Sequence, residues 1–361
     1  MRFGLIGLGA AGRSHLEVLA NMPEVDVVGV ADLQQQAVDA MQTQYGVPGT
    51  TDPAKLINDP SVEAIAIVAG DKAHHPLVLA CAAAGKHVVC EKPIATDVAD
   101  AREMVGAMDA SGRLFCIAFN NRTDAVQGRI RELALSGTIG NLRMVRLVGL
   151  MAAPDHKSLR DEMGEPAAYR RLLNICEDGK NALFDCGVHS FDYARFLTGS
   201  DFAHIEAMGY SMRGLTYPDH GVALCAMQNG IFVMIEKGFD YAFEASARKE
   251  YVRYEVIGDA GSLAWDLDTQ TLKVYGAKES WEEQVGHGDK ASVRELIYRG
   301  FIESVQAGEL HPWLASGLDG LRATEAAQAA LDSMMQKGVV KRDVGPVLNW
   351  FEGKDFVTKR D

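Results

Sequence analysis

Three short stretches of the chain carry residue types whose spacing suits chemistry. The first is Gly7-Leu8-Gly9-Ala10-Ala11-Gly12, which follows an apolar strand pattern and opens an amphipathic helix pattern. Glycines at this G-x-G-x-x-G spacing permit a tight turn, close approach of backbone to a pyrophosphate, and close packing of helix on strand. The helix N-terminus then offers N–H groups and a positive dipole end to the phosphates. Asp32 follows 20 residues after Gly12, at the close of the next strand pattern. A carboxylate there accepts hydrogen bonds from the ribose hydroxyls of an adenosine and repels a 2′-phosphate. Leu33-Gln34-Gln35 supplies no arginine to clamp such a phosphate, so the expected cofactor is NAD rather than NADP. The plainer use of Asp32 is to cap the helix that follows.

The second stretch is Glu91-Lys92-Pro93, at the end of a buried strand pattern. This is the C-terminal edge of the sheet, where folds of this kind bind their ligands. A lysine there can donate to a substrate hydroxyl and stabilise the alkoxide that develops as hydride leaves. The proline would fix its approach, with a cis bond as one means. Read alone, the lysine is equally a surface charge at a strand end. The third stretch is Asp185-Cys186-Gly187-Val188-His189, in which Asp185 and His189 are four apart and share a face of any helix containing both. Histidine, with an unperturbed pKa of about 6.5, suits proton transfer. The alternative is a capping or surface pair.

These residues need elements to hold them. In the first 120 positions, apolar runs at 3–7, 27–31, 64–68, 87–89 and 115–119 alternate with helical periodicity at 10–21, 34–45, 75–84 and 98–111. Such alternation predicts parallel strands with right-handed crossovers and helices on both faces. The continuously apolar strands fit burial on both sides. Beyond Arg122 the pattern changes. A helix is expected over 125–136, and strands over 142–151, 205–211, 221–227, 230–238, 251–258, 261–266 and 271–275. Short connections, including Asn229-Gly230, favour antiparallel pairing. Further helices are expected near 189–197, 290–307 and 317–337. The fold class is therefore α/β plus α+β: a Rossmann doubly wound parallel sheet over 1–121, then an open, mostly antiparallel sheet domain over 122–340. The tail 341–361, with Asn349-Trp350-Phe351, would pack on a domain or on a neighbour.

Composition narrows the partners. Asp and Glu number 49 against 36 Lys and Arg, a formal net charge of −13, so the average field repels nucleic acid. No apolar stretch approaches the roughly 20 residues of a membrane span. No basic-apolar-cleavage pattern opens the chain. Cys81, Cys90, Cys116, Cys176, Cys186 and Cys225 lie far apart without C-x-x-C spacing and are read as small buried hydrophobes in a reducing, cytoplasmic setting. His74, His75 and His189 form no compact ligand set, so no metal is expected.

Taken in order, the glycine turn, Ala84-Gly85-Lys86-His87-Val88, Glu91-Lys92-Pro93 and the Asp185–His189 motif resemble the glucose–fructose oxidoreductase, inositol dehydrogenase and rhizopine-catabolism (Gfo/Idh/MocA) family. The likeness covers nearly the whole chain and includes 301–304 and 317–323. It implies an NAD-dependent oxidoreductase acting on a sugar, sugar derivative or polyol. Lys92 and His189 would be catalytic, His189 as the acid/base and Asp185 as a substrate-positioning partner. The cofactor contacts would be Gly7, Leu8, Gly9, Ala10, Ala11, Gly12, Asp32, Ala69, Asp71, His74, Glu91 and Lys92. Some members of the family use tightly held NAD to cleave glycosides by transient oxidation and elimination, and a few similar proteins act as non-catalytic sensors of sugar or nucleotide.

The sequence also departs from the family's pattern. Relatives carry Thr-Pro-Asn-x-x-His where this chain has Ala69-Gly70-Asp71-Lys72-Ala73-His74. Asn120 and Arg122 match a loop that contacts substrate or cofactor, although Arg122 serves equally as a helix-flanking charge. Gly179-Lys180-Asn181 replaces a glycine triplet, with Arg170 and Arg171 just upstream. Arg170, Lys180 and Asn181 are thus expected to read an acidic group on the substrate, unless these cations are solvated loop charges. A homodimer or homotetramer through the second sheet is expected, since an open sheet otherwise leaves an apolar face bare.

Overall fold

The computed structural model describes residues 1–151, 182–211, 216–241, 250–337 and 340–341. The chain starts with β1 (Arg2–Ile6), α1 (Ala10–Asn21), β2 (Asp26–Ala31), α2 (Gln35–Tyr45), β3 (Gly49–Thr50) and α3 (Pro53–Ile57). It continues with β4 (Ala64–Ile67), α4 (His74–Ala83), β5 (His87–Cys90), α5 (Val98–Ser111) and β6 (Phe115–Ile117). These strands form a parallel sheet in the order β6-β5-β4-β1-β2-β3. Strand order reverses between β1 and β4, which opens a crevice at their carboxyl ends. Both faces of the central strands are covered: every residue of β4 is buried, which is why the run reads as unbroken apolar sequence.

After α6 (Ala125–Leu135), β7 (Leu142–Met151) enters a second sheet. Two helices, α7 (Ala182–Asp185) and α8 (Gly187–Thr198), precede β8 (Phe202–Ser211), β9 (His220–Met227) and β10 (Phe232–Gly238). Then come β11 (Glu250–Gly258), β12 (Ser262–Asp266), β13 (Thr271–Tyr275) and β14 (Ser280–Gln284). Among the described residues the order is β14-β13-β12-β11-β7-β10-β9-β8, with a short β16 (Val340–Lys341) beyond β8. All pairings are antiparallel except β10 with β7 and β16 with β8. At the β9–β10 turn Gly230 takes a φ of 82°, the left-handed region that the Asn-Gly pair makes accessible. The inner face of this sheet, with Val145, Leu147, Val233 and Ile235, shares one core with Leu183, Val188 and Phe191 of α7 and α8.

The last elements tie the two sheets together. Helix α9 (Lys290–Ala307) returns to the first sheet, where Ile297, Tyr298 and Phe301 join Phe3, Leu5 and Leu16 in a second core. Strand β15 (Ala315–Ser316) pairs antiparallel with β6, and α10 (Gly317–Lys337) follows. Elements absent from the sequence pattern are β3, α3, α7, β14, β15 and β16. The two-residue strands are too short for any period to register. In Ser280-Trp281-Glu282-Glu283-Gln284 an exposed edge strand hides behind polar residues. Cys81, Cys90, Cys116 and Cys225 are buried and Cys186 is partly so; Cys176 lies outside the described residues. Among the described residues no helix is long and apolar enough to cross a membrane.

Candidate active site

The glycine turn between β1 and α1 assigns each glycine a different task. Gly7 has a φ of 99°, and a Cβ there would strike the Val68 carbonyl. A Cβ at Gly12 would strike the Gly7 carbonyl oxygen, so these two positions pack the helix against the sheet. Gly9 differs, because a Cβ there would meet nothing within 4 Å. It is the N-cap of α1, which has no side-chain cap and no acidic residue in its first turn. The first N–H groups of that helix are therefore available to an anion in the space above Gly9.

Asp32 closes the far side of this space. Its carboxylate accepts from the Leu8 N–H at 2.7 Å and from the Gln34 N–H at 2.9 Å, which pins β2 to the glycine turn. The next residue, Leu33, is 85% exposed, leaving an apolar surface beside the carboxylate. A cleft of about 1340 Å³ runs from here along the carboxyl ends of the strands. Gly7, Gly9, Ala10, Ala11, Asp32, Ala69, Asp71, His74, Glu91, Lys92, Asn120, Asp185 and His189 all line it. Leu8 and Gly12 are buried behind the turn. An open glycine, an uncapped helix end and a carboxylate at the end of β2 in one cleft fit an NAD molecule.

Glu91 and Lys92 sit midway along the cleft. The Lys92–Pro93 peptide is cis. Glu91 meets the His15 Nε2 at 3.0 Å and accepts from the Lys92 N–H at 2.9 Å. His15 Nδ1 in turn meets the Tyr298 hydroxyl at 2.7 Å. Burial opposes the charge on Glu91, yet the His15 hydrogen bond and nearby positive charge hold its carboxyl at about 2. His74 bridges the Ala69 and Pro93 carbonyls at 3.1 and 2.9 Å, fastening the loop after β4 to this turn. His74 thus shapes the cleft wall.

The other wall comes from the second domain. The four-residue spacing would put Asp185 and His189 on one face of a helix containing both, but the chain breaks at Cys186: Asp185 ends α7 and His189 lies in the first turn of α8. Both line the cleft with Lys92, whose Nζ donates to the Asp185 carbonyl at 3.0 Å and lies 3.5 Å from its carboxylate. The His189 ring stands edge-on to Phe119 at 5.6 Å. Its Nδ1 is buried and has no hydrogen-bond partner among the described residues. Burial first, and then the charges of Lys92 and Lys237, push its pKa down to about 3. The imidazole is therefore neutral at physiological pH, a base held beside a lysine.

Arg122 is placed elsewhere. It is buried, its guanidinium gripping both Asp192 carboxylate oxygens at 2.8 and 2.6 Å and the Leu314 carbonyl at 2.9 Å. Arg170, Lys180 and Asn181 lie outside the described residues. The sequence reading missed Lys290, Arg294 and Ile297, which α9 brings to the cleft beside α1; Arg294 donates to the Ser14 hydroxyl at 2.9 Å across 280 residues of chain. No local motif signals such a contact.

Comparison with known proteins agrees with this geometry. A family model described as the oxidoreductase family with NAD-binding Rossmann fold matches residues 1–119, and a GFO/IDH/MocA C-terminal domain model matches residues 128–264. The myo-inositol 2-dehydrogenase of Thermotoga maritima is 28% identical over 356 residues, covering 94% of this chain and 98% of the relative. The 1,5-anhydro-D-fructose reductase of Ensifer adhaerens is 27% identical, covering 91% and 98%. A crystal structure of a probable dehydrogenase from Thermotoga maritima superposes with a TM-score of 0.77 at 25% identity, over 93% of this chain and 98% of that one.

Proposed function

Because the chain belongs to the GFO/IDH/MocA family of NAD-binding oxidoreductases, we propose that it oxidises a hydroxyl of a sugar or polyol, or reduces the matching ketone. NAD, when bound, supplies the hydride acceptor. In this reading residues 1–121 hold the dinucleotide, with Gly9 and the α1 N-terminus at the phosphates and Asp32 at the ribose. Residues 122–340 supply the histidine and the sheet that covers the substrate.

His189 takes the hydroxyl proton, a contribution of roughly 10²–10⁴-fold for a well-placed base. Lys92 donates to the same oxygen and stabilises its developing negative charge. Asp185 holds Lys92 in place and orients the sugar. The observation that carries this reading is His189 itself: neutral, with a buried ring nitrogen that has no partner among the described residues, in the same cleft as Lys92 and the glycine turn. The relatives' names, a dehydrogenase of myo-inositol and a reductase of 1,5-anhydro-D-fructose, support a polyhydroxylated substrate.

Self-association through the outer face of the second sheet belongs to the same proposal. Met208, Leu224 and Phe232 are 69%, 53% and 60% exposed there, and a second copy of the sheet would cover them. The test of function is a panel of polyols, sugars and glycosides with added NAD, following NADH and product together. Net NADH with an oxidised product is expected. Glycoside cleavage without net NADH would instead favour internal return of the hydride, and absence of any turnover would defeat the proposal.

A further inference from the structure

Lys237 is a cation near the catalytic histidine that the hydride-transfer chemistry leaves unused. It lies on β10 in register with Val233 and Ile235, so it shares the sheet face that those residues bury in the core. Its cross-strand neighbours are Gly149 on β7 and Gly221 on β9, so no side chain flanks it on either adjacent strand. A Cβ at Gly149 would fall on the Lys237 ammonium. One at Gly221 would meet Leu183, two residues ahead of Asp185. The face that carries Lys237 is therefore the one on which α7 rests as it presents Asp185.

Two carboxylates on this side of the sheet are already engaged, Asp185 by Lys92, and Glu91 by His15 and the Lys92 N–H. Cys186 offers no negative charge, because burial and the Asp185 carboxylate push its thiol up to about 11. Lys237 makes no hydrogen bond or ion pair among the described residues. Burial holds its pKa below the ordinary lysine value. A partly buried ammonium with no counter-ion among the described residues is stabilised by an anion that arrives from outside.

We propose that Lys237 binds an anionic group of the substrate, so that the sugar or polyol handled here is an acid. A single ammonium matches a monoanion, and the monoanion that a sugar or polyol acid carries is a carboxylate. This inference rests on the hydride-transfer reading of the cleft that His189 lines, behind which Lys237 lies close enough to lower the His189 pKa, and deepens it.

The test uses matched pairs, D-glucuronate with D-glucose and D-gluconate with D-glucitol, titrated into the enzyme–NAD complex by calorimetry and assayed for kcat/KM. Wild-type protein should favour the carboxylate of at least one pair by about tenfold or more. Lys237→Met should reduce that preference at least about tenfold, and Lys237→Arg should keep most of it. Equal or weaker binding of every carboxylate by the wild type overturns the proposal without recourse to any variant. An unchanged preference in Lys237→Met overturns it as well. NADH formation in the same samples reads the underlying function separately: its absence across the panel defeats hydride transfer, whatever the binding preference shows.

Discussion

The Lys92 ammonium reaches from the first sheet to the second domain, donating to the Asp185 carbonyl at 3.0 Å with the carboxylate 3.5 Å away. The two partners are 93 residues apart in the chain, so the contact exists only when both domains are in place. It joins the dinucleotide half of the cleft to the half that carries His189.

Asp185→Asn separates the two parts of that contact. The backbone carbonyl remains as an acceptor while the charge is lost. Turnover per bound substrate should fall about tenfold, in line with loss of one charge-assisted hydrogen bond, and NAD affinity should change by less than about threefold. Steady-state kinetics and NAD titration on the same preparation check this.

His189 sets the pH dependence. Its folded pKa of about 3 is depressed, so the base stays unprotonated well below its ordinary value of about 6.5. Activity is lost only as pH falls through the folded value, and kcat/KM for alcohol oxidation should show no histidine limb between about pH 5 and 7. Stability has a related slope. Between the folded pKa and about 6.5 the unfolded chain binds a proton that the folded one refuses, so stability falls as pH drops through that window. Urea titrations of wild type and His189→Gln should differ in this slope.

Gly9 and Gly12 should respond oppositely to alanine. A methyl group at Gly9 meets no protein atom, and its φ of −63° suits any residue. Gly9→Ala should therefore unfold within about 1 kcal/mol of wild type while NAD binds at least tenfold more weakly. At Gly12 the methyl group collides with the Gly7 carbonyl, so Gly12→Ala should lose stability first. Thermal unfolding with and without NAD separates the two effects.

Arg122 should matter for folding. Its pairing with Asp192 is buried on both sides, with side-chain exposures of 5% and 0%. Arg122→Met leaves Asp192 buried without its partner and should cost about 3–5 kcal/mol in urea unfolding. The folded fraction should keep its NAD affinity.

Much of this arrangement was legible in the sequence because its signals are local. The glycine turn, Asp32 and Glu91-Lys92-Pro93 each sit at a strand end that the alternating pattern already marks, and the last helix was read at the observed bounds of α10. What escaped was tertiary. Arg122 reads as a loop cation until Asp192 and Asp319 close on it. Lys290 and Arg294 reach the cleft only because α9 folds back on α1. Lys237 gains meaning from two glycines on neighbouring strands, which no spacing along one strand reveals. The break at Cys186 was likewise hidden, because Asp185 and His189 are at helical spacing whether or not one helix holds them.

The most direct measurement is a single-turnover experiment on wild type, Lys92→Met and His189→Gln, reading NADH formation from an accepted polyol, with NAD affinity measured on the same samples. The account predicts that both variants bind NAD within about threefold of wild type and form NADH at least about 100-fold more slowly. Wild-type rates in either variant, or a loss of NAD binding as large as the loss of turnover, would contradict it.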